Sequence, residues 1–343
     1  FLAYWIVPFL FISITGVTFV LRYISKDPLF IENLGIALRN IVFPSILSGI
    51  SVVCIVFWLY FKEKAYSFRR FFVVLVLVVT VVDLFRFGWK FTPFVSKSYF
   101  FPRTAIIEFL EKQSKPFRIA VLDDRIFPSN VLSYYGIESV DGYDPIYQRR
   151  YAQFIQASEA LEAKALLSFQ RIVSVRNIQS PLLKLLNVKF YISFDEISQP
   201  NFKMVFSEGA TRIYEDMTFI PRAYFASSVT YANSDTDILT TMINKLSNDP
   251  YLAVLEGKDR NIQLQKYDPT QNSIQFTQYY GYSMKIKTKT ADDQLLVLSQ
   301  KLDSSLHATL DGLKVEPIRV NYMFTGVRIP KGEHDISLTY SPL

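Results

Sequence analysis

The chain has 343 residues, of which 50% are hydrophobic and 20% are charged, and its formal net charge is +6. This composition excludes a disordered or collagen-like chain, because enough apolar residues are present to form a core. The basic excess does not indicate nucleic acid binding, since many of the positive residues flank apolar segments or share one strand face.

Three apolar segments near the beginning of the chain are predicted to cross a membrane as helices. They cover about residues 2–21, 41–61 and 71–89, and each is close to the ~20 residues that span a hydrocarbon layer. The first lacks the basic start and the cleavage site of a signal peptide, so we expect it to stay attached. Because the sequence opens inside this segment, we expect the chain to be the C-terminal portion of a longer polytopic protein.

The short loops predict the orientation of these segments. Residues 62–70 contain four basic residues and one acidic residue, a net +3, whereas residues 22–40 contain three and two, a net +1. The positive-inside rule therefore places the second loop in the cytoplasm and everything after the third segment outside the cell membrane. The single cysteine, Cys54, lies within the second segment, so the exported part has no disulfide framework.

Charged residues at the end of the third segment have two interpretations. Asp83 and Arg86 are spaced i, i+3 and can pair on one helix face near the interface, which is the favoured, structural interpretation. In the alternative, Arg86 or Lys90 contacts an anionic lipid phosphate, since charges at membrane depth often mark functional sites.

Residues 91–258 are predicted to form an extracytoplasmic α/β domain. Its predicted helices cover residues 104–113, 151–170, 181–187 and 238–246, the last of which follows a capping box at residues 234–237. Its predicted strands cover residues 117–122, 188–193 and 204–214, with a turn at Glu208 and Gly209.

Residues 259–343 are predicted to form a β-sandwich, jelly-roll-like domain. Apolar residues alternate with Lys285, Lys287 and Lys289, which is the pattern of a strand with one solvated face. Further strands are predicted at residues 294–299, 307–310, 323–329 and 335–340. The predicted fold class is therefore a membrane-anchored α+β protein in which residues 1–90 form the transmembrane helices.

Motifs that carry known chemistry are lacking. The sequence has no Gly-rich phosphate loop, HExxH pair or G-x-S-x-G elbow, and its two histidines, His307 and His334, lie on separate predicted strands. Asp123 and Asp124 follow a strand and could bind a metal ion, but turn formation is the favoured interpretation. We therefore predict no metal site and no cofactor, and we assign no catalytic residue.

Residues 141–151 combine aromatic, acidic and basic side chains. Tyr143, Asp144, Arg149 and Arg150 could contact a sugar or a phosphate, because forked guanidiniums suit such ligands. A Gly/Pro turn that leads into a helix explains the same residues and is the favoured interpretation.

Several short motifs, taken in order, resemble the C-terminal half of the YfhO-like bacterial membrane proteins. The clearest are residues 142–145 (GYDP), 221–224 (PRAY), 309–312 (TLDG), 324–330 (FTGVRIP) and 332–334 (GEH). One departure is that residues 304–306 read SSL where the family has a Pro-Gly-Trp segment, so a sugar-stacking Trp has no counterpart here.

The resemblance implies a polytopic GT-C type glycosyltransferase. Such an enzyme transfers a sugar from a polyprenyl-phosphate-linked donor to a cell-envelope glycan acceptor outside the cytoplasmic membrane. Its acidic catalytic residues are expected in a first outer loop upstream of Phe1. The alternative from another class is a non-catalytic, membrane-anchored surface module that binds carbohydrate or a partner protein.

Overall fold

The computed structural model describes residues 3–61, 66–91, 94–163, 171–257 and 270–341. The chain divides into two compact units, Phe1–Pro102 and Arg103–Leu343. Parts of the predicted features, at residues 2, 62–65, 92–93, 164–170, 258–269 and 342–343, lie outside the described residues.

The first unit is helical. It contains α1 (Ala3–Ile24), α2 (Pro28–Phe61), α3 (Tyr66–Phe91) and a short 3-10 helix, Lys97–Tyr99. Residues 28–40, predicted as part of a loop, belong to α2. The helix begins there because Pro28 suits the first helical position and Asp27 Oδ1 accepts a hydrogen bond from the Leu29 N–H at 3.0 Å.

Two of these helices are long and apolar enough to cross a membrane, over Pro28–Tyr60 and Arg70–Trp89. Almost none of their apolar side chains are buried within the protein, unlike those of a core helix in a soluble domain. Such large exposed apolar surfaces suit a lipid environment. The apolar stretch of α1, Phe9–Ile24, is shorter, so a third span remains a prediction.

The described part of the second unit contains four α-helices, and two of them begin at a capping side chain. They are α4 (Ala105–Glu111), α5 (Arg149–Ala160), α6 (Pro181–Lys184) and α7 (Asp235–Lys245), with a 3-10 helix at Val131–Tyr135. The hydroxyl of Thr104 accepts a hydrogen bond from the Ile107 N–H, and that of Ser234 accepts one from the Asp237 N–H. The helix predicted at residues 151–170 instead ends at Ala160, because Leu161 adopts a left-handed conformation.

The strands of the second unit include the predicted ones and several that were not predicted, among them Ala223–Phe225, Ser228–Ala232 and Leu252–Glu256. They are β1 (Arg118–Val121), β2 (Glu138–Ser139), β3 (Gly142–Tyr143), β4 (Ile172–Val173), β5 (Val188–Ser193), β6 (Phe202–Glu208), β7 (Thr211–Asp216), β8 (Ala223–Phe225), β9 (Ser228–Ala232), β10 (Leu252–Glu256), β11 (Ser273–Tyr280), β12 (Ser283–Thr290), β13 (Gln294–Lys301), β14 (Leu306–Leu310), β15 (Leu313–Val315), β16 (Ile318–Val320), β17 (Phe324–Ile329) and β18 (Gly332–Tyr340).

The first sheet is mixed, in the strand order β2-β1-β5-β7-β6. Strands β2, β1 and β5 run parallel to one another, whereas β7 runs antiparallel to both of its neighbours, β5 and β6. Ile119 of β1 and Tyr191 of β5 are completely buried, as befits the central strands of a covered sheet.

The remaining larger sheets have the orders β8-β13-β17-β16-β10-β9 and β11-β12-β18-β14-β15. Phe225 and Leu296 of the six-stranded sheet share one apolar cluster with Ile286 and Ile336 of the β11-β12-β18-β14-β15 sheet. Strands from both sides of residue 258 form the six-stranded sheet. The fold class is thus mixed α+β with several sheets, while the jelly-roll-like sandwich and the boundary at residue 258 remain predictions.

Candidate functional site

A cavity of about 590 Å³ lies beside the carboxyl ends of β1 and β2 and the turn between β11 and β12. Aromatic and polar side chains line it together, which is typical of small-molecule sites. The lining residues used below are Lys115, Asn130, Glu138, Asp141, Tyr280 and Tyr282.

Asp141 enters this cavity directly after β2. Its Oδ1 atom accepts hydrogen bonds from the Val121 N–H at 3.0 Å and from the Ser139 hydroxyl at 2.5 Å. Burial raises the pKa of Asp141 above its usual value, although these two donors partly oppose the rise. Among the described residues, the partners of this carboxylate are neutral donors, so its charge is left without a cation.

Two tyrosines form an aromatic surface at the turn of the β11–β12 hairpin. The rings of Tyr280 and Tyr282 have centroids 6.1 Å apart and planes inclined by 15°. The two residues are 55% and 66% exposed. They flank Gly281 at the turn of the hairpin, so two nearly parallel, solvent-exposed rings lie side by side at the edge of the cavity.

A buried cluster of charges lies behind the cavity wall at Glu138. Its Oε2 atom lies 2.5 Å from Arg222 Nη2 and 3.3 Å from Arg118 Nε, and the Tyr279 hydroxyl donates to Oε1. Arg118 Nη1 also donates to the Ser299 hydroxyl at 3.0 Å. The Arg222 side chain is 0% exposed. Four distant parts of the chain therefore meet at one carboxylate.

The charged groups in this cluster shift one another's pKa values. Burial acts to raise the pKa of Glu138, but the positive charges of Arg222 and Arg118 and the hydrogen bonds outweigh it, so the pKa is lowered. Burial and the like charge of Arg222 lower the pKa of Arg118 to about 10. Glu138 and Arg118 are therefore charged at neutral pH. One carboxylate and two guanidiniums give the cluster a net charge of +1.

Asn130 connects the cavity to the first of the predicted site residues. Its side chain donates to the Tyr143 carbonyl at 2.7 Å and accepts from the Tyr143 N–H at 3.0 Å. A Cβ atom on Gly142 would lie 2.7 Å from Asn130 Oδ1, so only glycine leaves room for this pair of hydrogen bonds. Tyr143 itself is 43% exposed.

The other residues predicted with Tyr143 have separate surroundings. Asp144 Oδ1 accepts from the Ile146 N–H at 2.8 Å, which is turn chemistry. Arg149 is exposed at the beginning of α5. Arg150 pairs with Asp235 at 2.9 Å and with Glu256 at 3.2 Å. The proposed contact of these side chains with a sugar or phosphate remains a prediction.

The remaining predicted residues lie elsewhere. Asp123 forms an ion pair with Arg125, and the hydrogen bonds of this pair lower the pKa of the Asp123 carboxyl to about 2. Asp124 Oδ2 lies 3.8 Å from Arg176 Nη2. Within the described ranges, no group of His, Cys, Asp and Glu side chains could hold a metal ion.

In the first unit, the guanidinium of Arg86 lies 3.9 Å from the ring centroid of Phe43 in α2. The Lys90 side chain lies outside the described part of α3. A lipid-phosphate contact at these two residues remains a prediction.

The sequence predicted only some of the residues that line the cavity. Asp141 lies in the stretch singled out, but Glu138, Tyr279 and Tyr280 carry no local signal. Only the three-dimensional proximity of these three residues identifies them as part of one site. Their partner Arg222 lies in the PRAY motif.

A comparison with protein families decides the relationship of the C-terminal segment. Residues 259–343 match the family described as bacterial membrane protein YfhO. The chain thus has a YfhO-like C-terminal portion. The matched segment includes β11 to β18, and therefore Tyr280 and Tyr282 of the cavity. No curated protein and no solved structure matches the chain. Together with the exposed apolar helices, the YfhO match supports a membrane location.

Proposed function

We propose that this chain is the C-terminal part of a polytopic membrane glycosyltransferase of the YfhO type. The enzyme would transfer a sugar from a polyprenyl-phosphate-linked donor to a cell-envelope acceptor outside the cytoplasmic membrane. In this proposal the catalytic carboxylates lie upstream of the chain, and the second unit, exported through a multi-pass anchor, engages carbohydrate.

The observation that carries the proposal is the cavity of the second unit. It combines a carboxylate without a cationic partner, Asp141, with the stacked rings of Tyr280 and Tyr282. Sugars present hydroxyl donors and apolar C–H faces, which these two kinds of group can bind together. The exposed apolar helices of the first unit add the membrane context in which a lipid-linked donor is found.

Deletion of the gene tests the proposal. We expect one sugar to disappear from a surface polymer, detected by monosaccharide analysis and mass spectrometry of the purified cell-envelope glycans. Complementation with the complete gene should restore that sugar. An unchanged glycan profile in the deletion strain would refute the transferase.

A second candidate function is a non-catalytic surface module that binds carbohydrate. The same cavity supports it, because none of the groups described there needs to perform a covalent step. The two functions differ in outcome: the module predicts glycan binding by the purified protein together with an unchanged glycan profile after deletion. A normal profile combined with binding would therefore favour the module.

A further inference from the structure

We propose that the cavity of the second unit is a subsite for an uncharged saccharide. In it, Tyr280 and Tyr282 stack on the sugar rings and the Asp141 carboxylate accepts their hydroxyl groups. This inference rests on the proposed function only in naming a glycan as the partner of the second unit. It adds the binding residues and the charge class of the ligand.

The carboxylate of Asp141 is suited to accept hydrogen bonds from a ligand. Its Oδ1 atom already binds Val121 and Ser139, which fixes the orientation of the group. A carboxylate has about four acceptor positions, so it can accept further hydrogen bonds after these two. Sugar hydroxyls supply donors of this kind without bringing in a second charge.

The two tyrosines provide the apolar half of the subsite. Their nearly parallel rings have centroids 6.1 Å apart at the hairpin turn, and both side chains are more than half exposed to solvent. Exposed rings of this kind bury apolar area when a sugar ring stacks on them, and their negative faces attract polarised C–H groups. A short chain of sugar units could contact both rings.

The Asp141 carboxylate disfavours an anionic group directly beside it. The guanidiniums of Arg118 and Arg222 are held by Glu138, and the Lys115 ammonium donates to the Gly136 carbonyl. The Asp141 carboxylate would repel a phosphate or a uronic acid at close range. Because Asp141 already supplies the charged acceptor, we infer that its ligand is an uncharged saccharide.

Isothermal titration calorimetry of the full chain in detergent micelles tests the inference. The probes are maltohexaose and chitohexaose as uncharged oligosaccharides, hexagalacturonate as the anionic one and a chitosan hexamer as the cationic one. We expect an uncharged probe to bind at least about tenfold more tightly than the anionic probe, which corresponds to about 1.4 kcal/mol, and no less tightly than the cationic probe.

Two variants then locate the subsite. Asp141→Asn keeps an Oδ1 acceptor for Val121 but removes the charge, and it should weaken binding of the uncharged probe at least about tenfold. The double variant Tyr280→Ala/Tyr282→Ala should abolish it. The matched controls are Asp293→Asn, an exposed loop carboxylate that accepts from the Lys331 N–H, and Tyr134→Ala, an exposed tyrosine, and both should bind as the parent does.

The outcomes separate this inference from the proposed function. Absence of binding by both uncharged probes, tighter binding of a charged probe, or binding unaffected by the Asp141 and Tyr280/Tyr282 variants would each overturn the subsite. None of these results concerns the glycan profile of the deletion strain. Conversely, a normal profile would refute the transferase while tight binding of an uncharged probe would still support the subsite.

Discussion

Replacing Glu138 by glutamine removes the only acidic member of the buried cluster among the described residues and leaves the guanidiniums of Arg118 and Arg222 without a counter-charge. Breaking a buried ion pair by removing one partner typically costs about 3–5 kcal/mol, because the remaining charge stays desolvated. Arg222 is completely buried, but Glu138 is 34% exposed, so solvent screens part of the interaction. We therefore expect Glu138→Gln to lower the free energy of unfolding of the second unit by about 3 kcal/mol.

The assay is chemical unfolding of the full chain in micelles, followed by near-ultraviolet circular dichroism of the tyrosines. A change below about 1 kcal/mol, the size expected of an exposed ion pair, would refute the assignment of a buried cluster. The matched control is Glu333→Gln, since Glu333 pairs with Lys289 at 2.8 Å on the exposed face of its sheet and should contribute little. The double variant Glu138→Gln/Arg222→Met should recover part of the loss, because it removes one of the two unpaired charges.

The same variant predicts a pH dependence with a definite sign. The pKa of Glu138 is lowered in the folded protein, so its contribution is complete above the ordinary value of 4.5. It disappears as the pH falls through the lower, folded value. The stability difference between the parent and Glu138→Gln should thus be constant near neutral pH and shrink in acid.

Two further predictions concern the turns. Gly142→Ala should cost about 1 kcal/mol of unfolding free energy, because the new Cβ displaces Asn130 from its two hydrogen bonds with Tyr143. Addition of Asn130→Ala to this variant should cost little more, and full additivity in a double-mutant cycle would contradict the mechanism. His334 Nδ1 lies 2.7 Å from Asp311 Oδ2, and this hydrogen bond raises the pKa of His334. The stabilisation by this hydrogen bond is therefore complete below about pH 6.5 and is lost as the pH rises through the pKa of His334 in the folded protein. His334→Gln should thus be more destabilising at pH 6 than at pH 8. His307→Gln, which alters an exposed imidazole on β14, serves as the control, and equal losses at both pH values would exclude a charged His334.

Local patterns predicted several elements of the second unit because the causes of those elements are local. The alternation in β12 buries Met284, Ile286 and Thr288 and exposes the three lysines between and after them, as period-two spacing requires. Thr104 and Ser234 mark helix beginnings through hydrogen bonds to residues only three positions away. The beginning of α2 was missed because the charges of Glu32 and Arg39 suggested a loop.

The candidate site could not be predicted in the same way, because its contacts are not local. Tyr279 reaches Glu138 across 141 positions of sequence, and Arg222 reaches it across 84. No spacing rule connects residues so far apart. The sequence did favour turn formation at residues 143–144, and the turn at Asp144 accounts for the exposure of Tyr143 without a ligand.

The Glu138 cluster and the Asp141 subsite share one cavity wall but should respond differently to substitution. Glu138 holds Tyr279, which directly precedes Tyr280, so loss of its charge should disturb the position of the aromatic surface as well as the stability. Asp141 has only neutral partners, and Asp141→Asn preserves the acceptor for the Val121 N–H. We therefore expect Glu138→Gln to lower both stability and saccharide affinity, whereas Asp141→Asn should lower affinity alone. If both variants lost stability to the same extent, the affinity loss of Asp141→Asn would reflect unfolding of the cavity and not loss of a ligand contact.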